Sequence, residues 1–334
     1  MKSIKNSIEI KSVNTNIIRL ILQDKQKATK QELSAICGLS TVTIGAILAN
    51  LVANGEVIEL ELLPSLGGRP AHQFCLNQDY SHFLVATLRV KNSKNVLTMQ
   101  VINLKNEILK ESEIVIKDVN LNSIDECVQP LINKYKKIKA IGFGLPGILN
   151  SDVIVSNDYP QLIGEDFIRH FKDKYQIEAV MANDVNLAVT GYVNTHQISE
   201  GLNVYLYFPQ QFDPGAGLYW NNAIYDGLNH AAGELGYLPL DINWKALDYT
   251  SIKDTVQALF KLIKVYQCLL DPSQFILAGD FLSETHREEI EDLLYRQEYL
   301  LKKPKVKLSF DFDEDYEMGT RYFTLNAIKH KTEL

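Results

Sequence analysis

The chain has 334 residues, 46% hydrophobic and 22% charged, with a formal net charge of −7. That length exceeds one ordinary domain and predicts two or three, while the negative balance argues against a protein coated in nucleic acid. The charge is uneven, however: residues 1–78 hold eight Lys/Arg and six Asp/Glu, a net +2, which leaves −9 for the remainder, so a small, weakly basic module precedes an acidic body.

In chain order, "VNTNIIRLILQDK" places Ile17, Ile18, Ile21 and Leu22 at helical spacing. "TKQELSAICG" follows, with Thr29 as cap, Glu32 three residues later as in a capping box, and Gly38 as the stop. "LSTVTIGAILANLVANG" predicts a third helix with Ser40 as N-cap, an apolar stripe of Ile44, Ile47, Leu48 and Leu51, and Gly55 at its end. The short gap between the second and third helices is that of a helix-turn-helix. "EVIELELLP" and "AHQFCLN" read as two strands on either side of a glycine- and proline-rich tip carrying Arg69. Residues 1–78 are therefore predicted to form a winged helix-turn-helix. Its third helix would present Ser40, Thr41 and Thr43 to the major groove, and Arg69 would reach a phosphate or the minor groove of operator DNA. Gly45 and Ala46 follow on that helix with no arginine to read guanine. The alternative is a small helical cap with a solvated hairpin.

From about residue 80 strands and helices alternate, which predicts an α/β body. "HFLVATLRV" and "VLTMQVINLKNEIL" read as a strand pair with a turn at Lys105–Asn106, "SIDECVQPLINKYKK" as a helix, and "IKAIGFGLPGIL" as a buried strand entering a glycine-rich loop. "EDFIRHFKDKY" and "VNLAVTGYVNT" are helical around the strand "EAVMAND"; "LNVYLYF", "GAGLYWNNAIY" and "QFILAG" are further strands, and "KDTVQALFKLIKVYQCLL" is a helix. The four cysteines are scattered without Cys-x-x-Cys pairing, as free thiols in a reducing compartment are. With no apolar leader and no apolar run of about 18 residues, the expectation is a cytoplasmic protein with no membrane partner.

These segments resemble the ROK family, which groups sugar kinases with sugar-responsive repressors on a two-lobed actin-like ATPase fold. "GLSTVTIGAILANLVANGEV" with "GGRPAHQFCLN" is similar to the DNA-binding module of the repressor branch, "IGFGLPGIL" to the loop beside the sugar, "ANDVNLAVTGY" to the catalytic segment, and "GLNHAAGELGYLPLD" to the sugar-binding segment. The resemblance implies a first lobe over 79–190, completed by a C-terminal helix at about 315–334, and a second lobe over 191–314. It also implies a carbohydrate site. Asn183 and Asp184 end a buried strand, where an α/β sheet places its ligand crevice, and a carboxylate there can accept from a sugar hydroxyl or take its proton. Glu234 lies between glycines, Asn157 matches the family's sugar-contacting asparagine, and His230 shares the loop of Glu234.

The departures from the family pattern decide between enzyme and regulator. Its first phosphate loop, an Asp-x-Gly turn expected near residues 87–91, is "TLRVK" here. Its second leads into "GAGL" but reads Gln211, Phe212 and Asp213, where a phenylalanine blocks backbone approach and an aspartate repels phosphate. The adenosine loop is "ILAGDFLSE", and the zinc motif is replaced by a stretch with Tyr237 in the histidine position and no cysteine. The expectation is a homodimeric transcriptional regulator, with no catalytic residue, cofactor or metal, whose body binds a sugar or sugar derivative. An ATP-dependent sugar kinase using Asp184 as base, and a body that only dimerises, are the rivals.

Overall fold

The structure, a computed structural model, describes residues 2–62, 71–209 and 213–329. The amino-terminal module consists of α1 (Lys2–Lys25), β1 (Ala28–Thr29), α2 (Lys30–Cys37), α3 (Thr41–Ala53), β2 (Val57–Leu62) and β3 (His72–Leu76). Thr29 and Glu32 cap α2 reciprocally: Thr29 Oγ1 accepts from the Glu32 N–H at 3.2 Å and Glu32 accepts from the Thr29 N–H at 2.7 Å. Gly38, in the left-handed region at φ 72°, closes α2, and Ser40 Oγ accepts from the Thr43 N–H at 3.1 Å to open α3. The chain bends 117° between the two helices, within the range of helix-turn-helix pairs. Ile18, Leu22, Leu33, Ile44, Leu48, Leu51, Val57 and Phe74 form one core. The Arg19 guanidinium grips the Glu56 carboxylate with two nitrogens, tying α1 to the turn after α3. Strands β1, β3 and β2 make an antiparallel sheet in that order. Helix α1 begins at Lys2, well before the apolar stripe that opens at Ile17.

The body opens with β4 (His82–Lys91), β5 (Lys94–Asn103), β6 (Ile108–Ile116), α4 (Leu121–Lys134), β7 (Ile138–Gly144), β8 (Ile148–Asn150), β9 (Val153–Ser156), α5 (Phe167–Tyr175), β10 (Glu178–Ala182) and α6 (Asp184–Thr195). The first sheet runs β10-β7-β4-β5-β6, parallel across β10, β7 and β4 and antiparallel beyond. Both faces of β4 are covered, so it reads as a continuous apolar run. Leu84, Ala86 and Leu88 join the core under α4 and α5, whereas Phe83 and Val85 face the opposite way. The segment expected as one strand with a turn at Lys105–Asn106 is a hairpin of β5 and β6, and a second turn precedes it at Asn92–Ser93. Both of those residues have positive φ, 52° and 59°, the conformation of a tight two-residue hairpin. Charged residues on β6, at the sheet edge, hid its strand pattern.

The remainder is β11 (Asn203–Tyr207), β12 (Gly215–Trp220), β13 (Ala223–Ile224), α7 (Ile252–Leu270), β14 (Gln274–Ala278), α8 (Glu284–Tyr295), β15 (Lys305–Ser309) and α9 (Phe312–Lys329). Its sheet is ordered β13-β12-β11-β14-β15. One face packs on α7 and α8 through Leu259, Leu262, Ile263 and Ile290; the other meets α6 and α9 through Leu187, Val189, Tyr205, Ile276 and Tyr316. Helix α9 also reaches the first sheet, where Leu325 packs with Phe83, Val85 and Ala140. The crossing of α6 and α9 is glycine-on-glycine. A Cβ on Gly191 would lie 1.8 Å from the Asp315 carbonyl oxygen, and one on Gly319 1.7 Å from that of Leu187. Among the described residues no single helix is long and apolar enough to cross a membrane.

Candidate functional site

A cleft of about 970 Å³ opens between the sheets. Its walls are the β4–β5 hairpin, the loops after β7 and β9, the first turns of α6 and α9, and residues 213–216 and 230–237. Asn183 caps α6: its Oδ1 accepts from the Val185 and Asn186 N–H groups at 2.9 and 3.4 Å, and its Nδ2 donates to the Gly147 carbonyl at 3.4 Å. Asp184 is the first residue of the helix, and its Oδ1 accepts from the Val185 N–H at 3.0 Å. A helix N-terminus favours a carboxylate, yet here burial dominates. Desolvation, reinforced by Asp158 and Glu234, pushes the Asp184 carboxyl up to about 7. Burial and the charge of Asp158 also raise Glu234, while burial and Asp213 raise Asp158.

The structure thus brings Asn157, Asn183, Asp184, His230 and Glu234 to one cleft, in different states of readiness. The Asn157 amide is engaged within its own loop: Nδ2 donates to the Pro146 carbonyl at 2.5 Å and Oδ1 accepts from the Tyr159 N–H at 2.9 Å. His230 Nδ1 sits 2.5 Å from Asp226 Oδ2. Glu234 stands where Gly233, at φ 102°, lets the backbone pair with the strand opposite, its carbonyl accepting from the Ala216 N–H at 2.9 Å. Asp158, Asn186 and Arg89 also line the cleft and were not singled out from sequence. Asp158 follows Asn157 directly, and that adjacency was the available signal.

The positions expected to hold phosphate have other occupants. Residues 87–91 are the regular end of β4, with Arg89 in register with Val96. The Arg89 side chain bonds Glu113 at 3.0 Å, Asp313 at 3.0 Å and Glu317 at 2.9 Å. Asp213 is paired with Lys245 at 3.1 Å, so its repulsion of an anion is weaker than its sequence position implied; Gln211 and Phe212 lie outside the described residues. After β14, in the segment expected to hold adenosine, Phe281 packs on Tyr249 with ring centroids 4.4 Å apart and on Phe208 at 6.0 Å. The residues after Glu234 do not fit zinc: Tyr237 is 88% exposed, and among the described residues no cluster of three His, Cys, Asp or Glu is disposed to bind a metal ion.

A second surface lies on α3. Ser40, Thr41, Val42 and Thr43 are all exposed, with Val42 at 80%. Ser40 Oγ is engaged in the cap and lies 2.9 Å from Thr43 Oγ1, while Gly45 is half-buried rather than exposed. Val42 was not singled out from sequence, where only the polar residues Ser40, Thr41 and Thr43 mark the exposed face. Arg69 lies outside the described residues.

A profile described as the ROK family matches residues 94–250. The xylose repressor of Bacillus subtilis (strain 168) is 21% identical over 239 residues, which cover 70% of this chain and 62% of that one. The chain therefore spans about three fifths of that relative's length. Among solved structures, a ROK family transcriptional regulator, a homolog of the E. coli MLC protein, is similar with a TM-score of 0.71 at 16% identity, covering 97% of this chain and 98% of that one. The ROK hexokinase from Thermus thermophilus gives 0.59 at 16% identity, covering 75% and 99%. At these identities the structural likenesses establish the fold and not the activity.

Proposed function

We propose that the chain, whose residues 94–250 match the ROK family profile, is a cytoplasmic, homodimeric transcriptional regulator whose kinase-like body senses a carbohydrate without phosphorylating it. The proposed division is a DNA-binding module over 1–78, a first lobe over 79–190 with the C-terminal helix, and a second lobe over 191–314. One asymmetry within the cleft carries the reading. Asp184 and Glu234 line the cleft with no cationic partner among the described residues, while Arg89 occupies the strand where a phosphate turn was expected and is locked to three carboxylates. The repressor named among the relatives agrees with it. On α3, Thr41, Val42 and Thr43 offer hydroxyls and methyl groups, suited to base edges and thymine methyls; two copies would read paired half-sites.

Selection from a random duplex library tests the DNA-binding part. The wild-type chain should enrich one sequence, and enrichment of none sinks the regulator reading. Thr43→Ala leaves the Ser40 cap on its backbone N–H and should change preference among sites. Arg69→Ala should weaken all sites alike and reduce the salt slope by about one.

The kinase reading keeps one observation in its favour, since a carboxyl near neutrality suits a general base. Calorimetry decides it. With Arg89 placed as it is, Mg-ATP should show no binding tighter than about millimolar and no sugar-dependent hydrolysis; micromolar binding with turnover would restore the enzyme.

A further inference from the structure

The charges along the cleft wall indicate what it would take. We propose that the ligand is a sugar bearing a protonated amine, selected by Asp158 together with Asp184 and Glu234; the proposal rests on the sensing role proposed above. Each basic side chain among the described lining residues is already engaged. Arg89 has Glu113, Asp313 and Glu317 at 2.9–3.0 Å, Lys245 has Asp213 at 3.1 Å, and His230 has Asp226 at 2.5 Å. The neighbouring undescribed residues, Gln210, Gln211 and Phe212, carry no charge.

Asp158, Asp184 and Glu234, by contrast, face the cleft with no cationic partner within ion-pair distance among the described residues. Asn186 adds another acceptor. It is 7% exposed, lines the cleft, and its amide oxygen has no hydrogen-bond partner. A wall so rich in acceptors calls for donors. A phosphate or carboxylate on the ligand is acceptor-only and would meet three carboxylates with no free cation. Hydroxyls donate but leave the wall's negative charge uncompensated. An ammonium supplies three donors and the missing charge in one group.

Asp158 is the distinguishing residue because its place is fixed before any ligand arrives. Asn157 beside it is tied to the Pro146 carbonyl at 2.5 Å and holds the Tyr159 N–H at 2.9 Å, so the loop need not order itself on binding.

The test is calorimetric titration of the full chain near neutral pH with 2-amino and 6-amino hexoses, their parent sugars, their N-acetyl derivatives and the corresponding 6-phosphates. An amino sugar should bind about tenfold or more tightly than its parent and its N-acetyl form, and the phosphates should not bind detectably. Asp158→Asn should abolish that preference, read as the ratio of amino-sugar to parent-sugar affinity within the same variant. Glu234→Gln should reduce it as an independent check on a different loop. Parent or phosphorylated sugars binding as tightly as the amine, or a preference that survives Asp158→Asn, overturns the proposal and leaves the sensing role standing. No binding by any sugar in a folded, operator-binding preparation removes the sensing role and the proposal with it.

Discussion

Gly319→Ala should lower the melting temperature of the body by on the order of 10 °C. The added Cβ would sit 1.7 Å from the Leu187 carbonyl oxygen, 2.5 Å from its carbon and 2.9 Å from the Gly191 nitrogen. All three are backbone atoms of α6, so no rotamer change relieves the contact. Separating the helices is the remaining route, and both are clamped. Helix α6 lies on β11 and β12, while α9 meets both sheets. Overpacking of this kind costs about 1–3 kcal/mol and more where backbone must move. The same substitution at Gly45 provides the control. In α3 a Cβ there has only Lys30 Nζ within reach, at 3.9 Å, and alanine is the better helix former by about 1 kcal/mol, so Gly45→Ala should be neutral or stabilising. Thermal unfolding followed by circular dichroism compares the two; a Gly319→Ala transition at the wild-type temperature would mean that α6 and α9 do not cross at this point.

What the sequence made legible follows from where its local signals are strong. Thr29, Glu32, Gly38 and Ser40 mark helix ends through hydrogen bonds between near neighbours, and each of those bonds or turns is present. The buried strands β7, β10, β11 and β14 stand out as short apolar runs. Helix α8 and strand β15 were overlooked because their charged residues dilute the apolar period: "ETHREEIEDLLY" buries only His286, Ile290 and Leu294. The cleft was legible where a residue follows a strand directly, as Asn183 and Asp184 do. It was not legible where partners come from distant segments. Nothing local to "TLRVK" says that Arg89 will meet Glu113, Asp313 and Glu317, 24 to 228 positions away. Asp158 was passed over for a related reason, since its significance lies in a shared cleft with Asp184 and Glu234 and not in its own loop.

Asp184→Asn should raise the stability of the free protein above neutral pH and weaken its response to sugar at the same time. The folded-state value for Asp184 is about 7 against 3.8 for the ordinary group. Between those values the folded chain holds a proton that the unfolded chain has released. The unfolded state therefore binds fewer protons, and stability falls as pH rises from about 4 to about 7, then stays low. A gap of that size corresponds to at most on the order of 4 kcal/mol, and water in the open cleft makes about 2 kcal/mol a more realistic loss. Asparagine keeps the shape and cannot ionise. Asp158 and Glu234 are raised too and titrate in the same direction, so the variant should retain a shallower slope. Tyr159, Tyr207 and Tyr316 around them are all shifted upward by burial, which keeps them neutral through this window. On the ligand side, the ionised carboxylate offers charge-assisted hydrogen bonds worth roughly 1.5–3 kcal/mol, so losing it should weaken a bound sugar about tenfold or more while operator affinity without sugar is nearly intact. Melting temperature measured from pH 5 to 9 separates the outcomes. The wild type should melt lower as pH rises, and the variant should melt higher than wild type at pH 8 with a flatter profile. A variant less stable than wild type at pH 8, or a wild type that gains stability across that interval, would mean that Asp184 is ionised and satisfied in the free protein and that its carboxylate is not held in readiness for a ligand.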